Sequence, residues 1–471
     1  MERIGVLVVS YGAREASIVD ALHRSLEYKV DTYVTDKQRN PFNLKRAAEH
    51  VVIPDLDIHK ICRFVARRRG KIDFGIVGPE KPIINGIRDI IEGETEVPMI
   101  CPTKQCAIEG SKVAQRLLFE KAVPNANPRY KVFNPEELGS QHSIKRTVFE
   151  WLDELNNQAV VKPDVPAAGK GVGVWGDHFQ SRDELFEHFL ANYEYGSVII
   201  EEKLEGEESS FQALCDGKRL VALPETRDYK RAFEGDEGPN TGGMGSYKDC
   251  GEVLPFMTNV DREKETEIVG RIFEVMKKRS SGGDLRGVPF YVAFMHTAHG
   301  PKILENNSRP GDPEIINLLP LLKQDFVNVC YNILEGTLTK VDVDHKASVV
   351  TYKAPPSYAG YLDVFPTRVS TDELNTDIDL SKAYMLEKTL EDSIRIFPAS
   401  IELRDRKSFA MTSRAVAAVG IGSSLSDAHD LSLRGIRAIE GGALWHRNDI
   451  AAPDHIRKSI NHIDLLRRPD K

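Results

Sequence analysis

The sequence predicts a multidomain chain of mixed α/β and α+β architecture, with an N-terminal parallel α/β domain. Three observations carry that reading. The 471 residues exceed what one hydrophobic core organises and correspond to about three domains of roughly 150 residues. The first hundred residues alternate apolar strands with amphipathic helices, the rhythm of a parallel sheet with right-handed crossovers. Later segments read as hairpins, and the chain closes on a strand and a helix, which is α+β organisation.

The run IGVLVVS (4–10) is continuously apolar, as in a strand covered on both faces. REASIVDALHRSL (14–26) has helical spacing. KVDTYVT (29–35) and IDFGIVG (72–78) read as strands and PIINGIRDII (82–91) as one helix. EGSKVAQRLLFEK (109–121) is predicted helical, and HSIKRTVFEWLDELNNQ (142–158) amphipathic. SRDELFEHFLANY (181–193) opens on a capping box, Ser181 with Glu184. SVIIEEKL (197–204) is a strand. FQALCDGKRLVAL (211–223) is a hairpin turned at Asp216-Gly217, and 289–307 another, turned near His299-Gly300. SRAVAAVGIG (413–422) is a strand and 424–439 a helix.

Composition excludes several classes. Charged residues make up 28% and the net charge is −8, so no global basic field points to nucleic acid. The run Arg67-Arg68-Arg69 reads as the solvated end of a helix. The six cysteines form no CxxC pair and read as reduced thiols of a cytoplasmic protein. No segment approaches the roughly 18 apolar residues of a membrane span, and the N-terminus lacks a signal-peptide pattern.

Four stretches carry chemistry. AVVKPDVPAAGKGVGVW (159–175) sets Lys162 and Lys170 around a glycine-rich run whose backbone amides can converge on phosphate oxygens. It is neither a Walker A loop nor a dinucleotide fingerprint. In IIEEKLEGEE (199–208) a strand runs into an acidic linker, able to offer backbone groups to an adenine edge and a carboxylate to ribose. In KILENNSRPGDPE (302–314), Glu305 and Asn307 alternate along a strand and share a face, offering hard oxygen donors suited to Mg²⁺ bridging phosphates, and Arg309 falls on the same face. RDYKRAFEGDEGPNTGGMGSY (227–247), with five glycines, reads as a long irregular loop of the kind that carries function.

Taken in order with IVGPEKPIINGI (76–87) and EGSK (109–112), these stretches resemble the phosphoribosylamine–glycine ligase family of the ATP-grasp superfamily. GPNTGGMG together with GDPE is the most specific part, and the resemblance spans nearly the whole chain. It implies ATP-grasp central domains with a mobile lid and a small C-terminal α+β domain. The divisions are 1–108 for the phosphoribosylamine domain, 109–335 for the ATP-grasp domain with its lid at about 125–197, and 336–471 for the C-terminal domain. The implied activity is ATP-dependent ligation of glycine to 5-phosphoribosylamine through a glycyl phosphate. The products are glycinamide ribonucleotide, ADP and phosphate, in purine biosynthesis. The implied cofactors are ATP and Mg²⁺ or Mn²⁺. The implied partners are small molecules, with no nucleic acid and no membrane, on a cytoplasmic monomer or homodimer.

Residue by residue, the resemblance assigns Lys112 and Lys162 to the ATP phosphates and Gly169, Lys170 and Gly171 to the lid. It assigns Glu201, Glu202 and Leu204 to the adenine segment and Glu208 to the ribose. Glu305 and Asn307 are the implied metal ligands, and Arg309 steadies the acyl phosphate, a task that suits a guanidinium fork. Gly12, Arg14 and Glu15, at a helix N-terminus able to take a phosphate, face Gly78, Pro79 and Glu80 across the amine pocket. Asp228 and Lys230 are implied on the glycine or phosphate side. Asn240, Thr241, Gly242, Gly243 and Met244, with Gly311 and Asp312, are implied at the substrates. The sequence departs from the family at Tyr11, Ala13 and Cys101, where smaller residues are usual, and at Asn306 and Pro310. These departures favour, as an alternative, a ligase of the same superfamily with another amine or carboxylate. A nucleotide-binding protein without ligase activity is a third reading, opposed by the joint presence of Lys112, Lys162, Glu208, Glu305, Asn307 and Arg309.

Overall fold

The structure is a computed structural model that describes all residues except 137–138, 165–170, 281, 369–373, 375, 391 and 469–471. Four main sheets organise it. The first is parallel, ordered Glu49–Val52, Tyr28–Asp36, Glu2–Ser10, Phe74–Val77 and Met99–Ile100. Its central strand is buried from Ile4 to Ser10, as expected of a strand between two helical layers. The order reverses between Glu2–Ser10 and Phe74–Val77, so the crevice beyond their C-terminal ends, at Tyr11-Gly12 and Gly78-Pro79, is a topological switch point, where ligands bind in such sheets.

The second sheet is antiparallel and small, ordered Tyr130–Phe133, Val198–Glu202, Ala159–Pro163 and Gly173–Val174. Helices Gln141–Glu154 and Arg182–Tyr193 cover it. Their apolar stripes close a core around Phe133, Trp151 and Phe189, where truncating Phe189 should cost about 3–5 kcal/mol. The Ser181–Glu184 capping box forms: the Glu184 amide donates to Ser181 Oγ at 3.2 Å and the Ser181 amide to Glu184 Oε2 at 3.2 Å.

The third sheet is the ordered hairpin pair Leu220–Ala222, Glu207–Asp216, Arg286–Thr297 and Gly300–Asn307, backed by helices Lys112–Ala122 and Asn259–Lys277. The fourth joins Arg227–Asp228, Gly245–Lys248, Ala347–Lys353, Val416–Gly422 and Ile394–Pro398, with helix Leu425–Arg437 against it.

Two sequence expectations change. The single helix over 82–91 is two, Glu80–Ile84 and Ile87–Thr95. Gly86 lies between them at φ 87°, a left-handed conformation that ends the first helix and redirects the second. The stretch 227–247 is not an irregular loop. Arg231–Phe233 pairs with Glu237–Asn240, and the flanking Arg227–Asp228 and Gly245–Lys248 belong to the fourth sheet, the first as its edge and the second paired on both sides. The pairing of Gly245–Lys248 with Ala347–Lys353 joins residues about 100 positions apart, so no local period announces it.

Candidate active site

The second and third sheets face one another across a cleft, and one carboxylate ties them together. Glu201, at the end of the strand that leads into Glu207–Asp216, accepts from Arg116 Nε at 2.6 Å and Nη2 at 2.8 Å, and from Lys162 Nζ at 2.7 Å. Arg116 also donates to the carbonyls of Ile303 at 3.1 Å and Leu304 at 2.6 Å. Burial pushes the Glu201 carboxyl up, but Arg116 and Lys162 prevail and hold it at about 2. The side chain of Glu201, expected at the nucleotide, is therefore the internal anchor that aims Lys162. Its backbone is paired within the sheet, opposite Tyr130 on one side and Val160 on the other.

Lys112 opens the helix Lys112–Ala122, whose first turn is capped twice: Ser111 Oγ accepts the Ala114 amide at 3.0 Å and Asp164 Oδ1 the Val113 amide at 2.8 Å. Asp164 comes from the lid side, so the helix start and the lid strand are coupled. Burial, opposed by the Glu305 carboxylate, lowers Lys112 below its ordinary value. Glu305 and Asn307 sit in the last turns of Gly300–Asn307, side by side as alternation requires. Burial raises Glu305, yet Lys230, Lys162, Lys112 and Arg309 together bring it below the usual range. Four cations thus surround one ionised metal-ligand candidate. No group of three or more His, Cys, Asp or Glu gathers as a self-sufficient metal site among the described residues. A cation held by Glu305 and Asn307 would need phosphate oxygens to complete its shell, which is the mode expected of Mg²⁺.

Lys230 pairs with Glu208, joining the expected ribose carboxylate to the cation cluster. Glu208 and Ser210 face this side of the strand. Ser209 points to the other face, where its hydroxyl donates to Glu265 at 2.6 Å. In the adenine segment the Glu202 amide is used by the Arg129 carbonyl at 2.9 Å and the Lys203 amide by Gln158 at 2.9 Å, while the Leu204 amide has no protein acceptor among the described residues. Gly171 adopts φ 85°, and its carbonyl meets His188 Nε2 at 2.8 Å. Gly169 and Lys170 lie outside the described residues.

The amine end lies at the switch point. Glu15 Oε2 accepts the amides of Gly12 at 2.7 Å and Tyr11 at 3.2 Å, and Glu15 Oε1 accepts Arg14 Nε at 2.6 Å. Two of the helix-start amides expected to hold a phosphate are therefore taken by the chain's own carboxylate. Gly78 leaves room for that carboxylate: a Cβ there would fall 1.8 Å from Glu15 Oε1. Pro79 caps the helix that begins at Glu80. Arg309 reaches back from the metal strand to Glu80 at 3.4 Å and Glu109 at 3.5 Å. Those are ion-pair distances; Arg309 Nε has no hydrogen-bond partner among the described residues. Burial pushes the Glu109 carboxyl up to about 7, against the pull of Arg309.

Between the two ends lies a carboxylate pocket. Burial and the neighbouring Glu314 carboxylate drive Asp228 well above the usual carboxylate range. Asp228 Oδ1 and Glu314 Oε2 both lack hydrogen-bond partners among the described residues. Tyr291 and Ser210 donate to the other Glu314 oxygen. Glycines let the walls approach: a Cβ on Gly243 would meet Asp228 Oδ1 at 2.4 Å, and one on Gly311 would meet Glu314 Oε2 at 2.6 Å. Thr241 donates backbone and hydroxyl to the Lys230 carbonyl, both at 2.8 Å, the Met244 amide donates to Tyr229 at 2.7 Å, and Asn240 pairs with Arg231. These contacts, with Gly242 donating to Tyr358 at 3.2 Å, make 240–244 a clamped turn. Asp312, expected at the substrates, is gripped at both oxygens, by Tyr352 at 2.6 Å and Arg414 at 3.2 Å.

The sequence reading missed Arg116, Glu109, Glu314 and Arg414. Arg116 lies one helical turn after Lys112, Glu109 opens the EGSK stretch and Glu314 closes GDPE, so each carried a local signal. Arg414 carried none, since it lies about a hundred residues from the motif it joins.

Comparison with known proteins places the chain among its relatives. The profile of phosphoribosylglycinamide synthetase, N domain, matches residues 4–109, and that of the ATP-grasp (A) domain residues 110–315. The chain is 34% identical over 466 residues to phosphoribosylamine–glycine ligase of Methanocella arvoryzae, covering 98% of this chain and 99% of that one. It is 34% identical over 468 residues to the ligase of Pyrococcus furiosus, covering 98% of each. The solved phosphoribosylamine–glycine ligase of Thermotoga maritima shares the fold at TM-score 0.72 and 24% identity, covering 95% of this chain and 100% of that one. The biotin carboxylase domain of Hydrogenobacter thermophilus 2-oxoglutarate carboxylase, solved with MgADP, ADP and bicarbonate, shares it at TM-score 0.65 and 16% identity, covering 98% and 93%. Matching profiles over both N-terminal regions and full-length relatives at this identity place the chain in the phosphoribosylamine–glycine ligase family.

Proposed function

We propose that the chain joins glycine to 5-phosphoribosylamine at the expense of ATP, forming glycinamide ribonucleotide, ADP and phosphate in purine biosynthesis. The observation that carries this reading is Glu305 ringed by Lys112, Lys162, Lys230 and Arg309, with Arg309 reaching from that ring to the switch-point pocket. A glycine carboxylate must approach the γ-phosphate, and two anions meet only where fixed positive charge outweighs their repulsion. A divalent cation, Mg²⁺ or Mn²⁺, held by Glu305 and Asn307 would supply the rest of that neutralisation.

Lys112 and Lys162 orient the phosphates, Glu208 takes the ribose and the segment Glu202–Leu204 meets the adenine. The partnerless oxygens of Asp228 and Glu314 accept the glycine ammonium, whose charge relieves their repulsion. The glycine carboxylate oxygen bonds to the γ-phosphorus as the bond to ADP breaks. The amine nitrogen then attacks the glycyl carbonyl as phosphate leaves, and the nitrogen sheds a proton. Arg309, balanced by Glu80 and Glu109, holds the phosphate oxygens through both steps. Gly12, Arg14, Gly78, Pro79 and Glu80 wall the amine pocket, and the region 125–197 excludes water as a lid over an acyl phosphate prone to hydrolysis.

The six unpaired cysteines support a reducing compartment, the cytoplasm, and no helix among the described residues is long and apolar enough to cross a membrane. We assign a monomer or homodimer. One observation favours a different amine: Tyr11 stands next to Gly12, with the Lys37 ammonium 4.5 Å from its ring centroid. The deciding experiment is ADP release with ATP, Mg²⁺ and glycine, with and without freshly generated 5-phosphoribosylamine. Release requiring both substrates, with a product of the mass of glycinamide ribonucleotide, is expected. Release that ignores this amine would move the assignment to another amine.

A further inference from the structure

Arg414 lies between the last hairpin and the last strand of the fourth sheet, on a backbone held from two sides. The Ser400 amide donates to its carbonyl at 2.9 Å, and the next residue, Ala415, donates to Lys353 at 2.7 Å. Its guanidinium stacks 4.4 Å over the Tyr352 ring, so its direction is fixed. From there it spans two segments of the candidate site. Nη1 donates to the Gly243 carbonyl at 2.7 Å, and Nη2 donates to Asp312 Oδ2 at 3.2 Å. Tyr352, the residue it stacks on, donates to the other Asp312 oxygen.

The two segments so joined are the ones that press on the carboxylate pocket. Gly243 lies against Asp228 and Pro313, and Gly311 against Glu314. The side chain is mostly buried, at 11% exposed, and its partner Asp312 at 12%. A buried guanidinium paired this way is costly to hold unless its geometry does something specific. Here the fork holds a carbonyl of one turn and a carboxylate of the other in a fixed relation, which a single ammonium cannot do.

We propose that Arg414 is a positioning residue for glycine recognition: it clamps the 240–244 turn to the 310–314 turn and so sets the spacing of Asp228 and Glu314. The inference rests on the glycine assignment above. It makes the C-terminal sheet part of the site without its touching ATP.

The test compares wild type with R414K and R414A in two measurements. In steady-state kinetics the glycine KM should rise by about 10- to 100-fold in R414A, with little recovery in R414K, while the ATP KM stays within about threefold. In hydrogen exchange without substrates, amides of 241–245 should exchange faster in R414K, with 198–216 unchanged. Unchanged glycine KM in both variants overturns the proposal. So does an equal loss for all substrates with exchange raised throughout, the signature of a merely structural residue. Should wild-type turnover ignore glycine, the assigned reaction falls by itself. Exchange at 241–245 then still decides whether Arg414 clamps the turns: protection unchanged in R414K overturns that.

Discussion

The nucleotide end and the amine end of the cleft are built differently. At the nucleotide end the working side chains stand on regular elements: Lys162 on Ala159–Pro163, Glu305 and Asn307 on Gly300–Asn307, Lys112 at a capped helix start. The spacing of Glu305 and Asn307 follows from the two-residue repeat of a strand, and a single buried hub, Glu201 with Arg116, fixes one sheet against the other. At the amine end the residues come from helix starts and loops in separate parts of the chain, and each buried guanidinium is matched by the chain's own carboxylates: Arg14 by Glu15, Arg309 by Glu80 and Glu109, Arg414 by Asp312. The difference teaches that side chains on a strand take their places from its period, whereas those at the switch point are held in place by paired charges.

The largest expected effect breaks the nucleotide end alone. Glu201→Gln strips Arg116 and Lys162 of their shared carboxylate; unfolding in urea should show a loss of about 3–5 kcal/mol, the range for an orphaned buried partner. Lys162→Ala should cut ADP formation by about 100- to 1000-fold with the fold retained, the scale for one lost charge-stabilising donor. Comparable ATP turnover in Lys162→Ala would mean that this lysine does not face the phosphates.

Asp228→Asn probes the boundary between the ends. It keeps the shape and puts an amide donor among the oxygens that should accept the ammonium, so the glycine KM should rise by about 10- to 100-fold at unchanged ATP KM. A matching rise in the ATP KM would place Asp228 with the nucleotide instead. Glu305→Gln should shift the midpoint of a Mg²⁺ titration of activity upward by about tenfold with thermal unfolding preserved, since one hard ligand is weakened while Asn307 remains. An unmoved midpoint would dismiss the metal role.

The smallest effect belongs to Glu109, which touches both ends through Arg309. Its folded value of about 7 lies above the ordinary 4.5 of a free carboxyl, so the folded state holds this proton more tightly. Its contribution to stability is complete below about pH 4.5 and is lost as pH rises through 7. Glu109→Gln should therefore be more stable than wild type at pH 8, by about 1–3 kcal/mol, and lose that advantage at pH 4. Equal differences at both pH values would show that the Glu109 carboxyl titrates alike in the folded and unfolded chain.

Much of this was legible before any coordinates. The strands of the first sheet, the capping box at Ser181 and both hairpins follow from apolar runs, cap chemistry and turn residues, because short-range sterics and hydrogen bonding decide them. The helix over 82–91 was read as one because Gly86 is unremarkable until its positive φ is known. The 227–247 stretch reads as a loop because glycine-rich sequence hides short strands, one of which, Gly245–Lys248, has its partner in Ala347–Lys353.

By itself the sequence determined the alternation that sets Glu305 beside Asn307, the helix that starts at Lys112 and the family to which these motifs point. Each depends on a few neighbouring residues and on the periods of strand and helix. Only the tertiary structure decided that Glu201 serves Lys162 and Arg116, and that Arg414 joins two turns of the site. Those are contacts between segments brought together by the fold, and their energies depend on burial and on partners tens to hundreds of residues away, which no local pattern encodes.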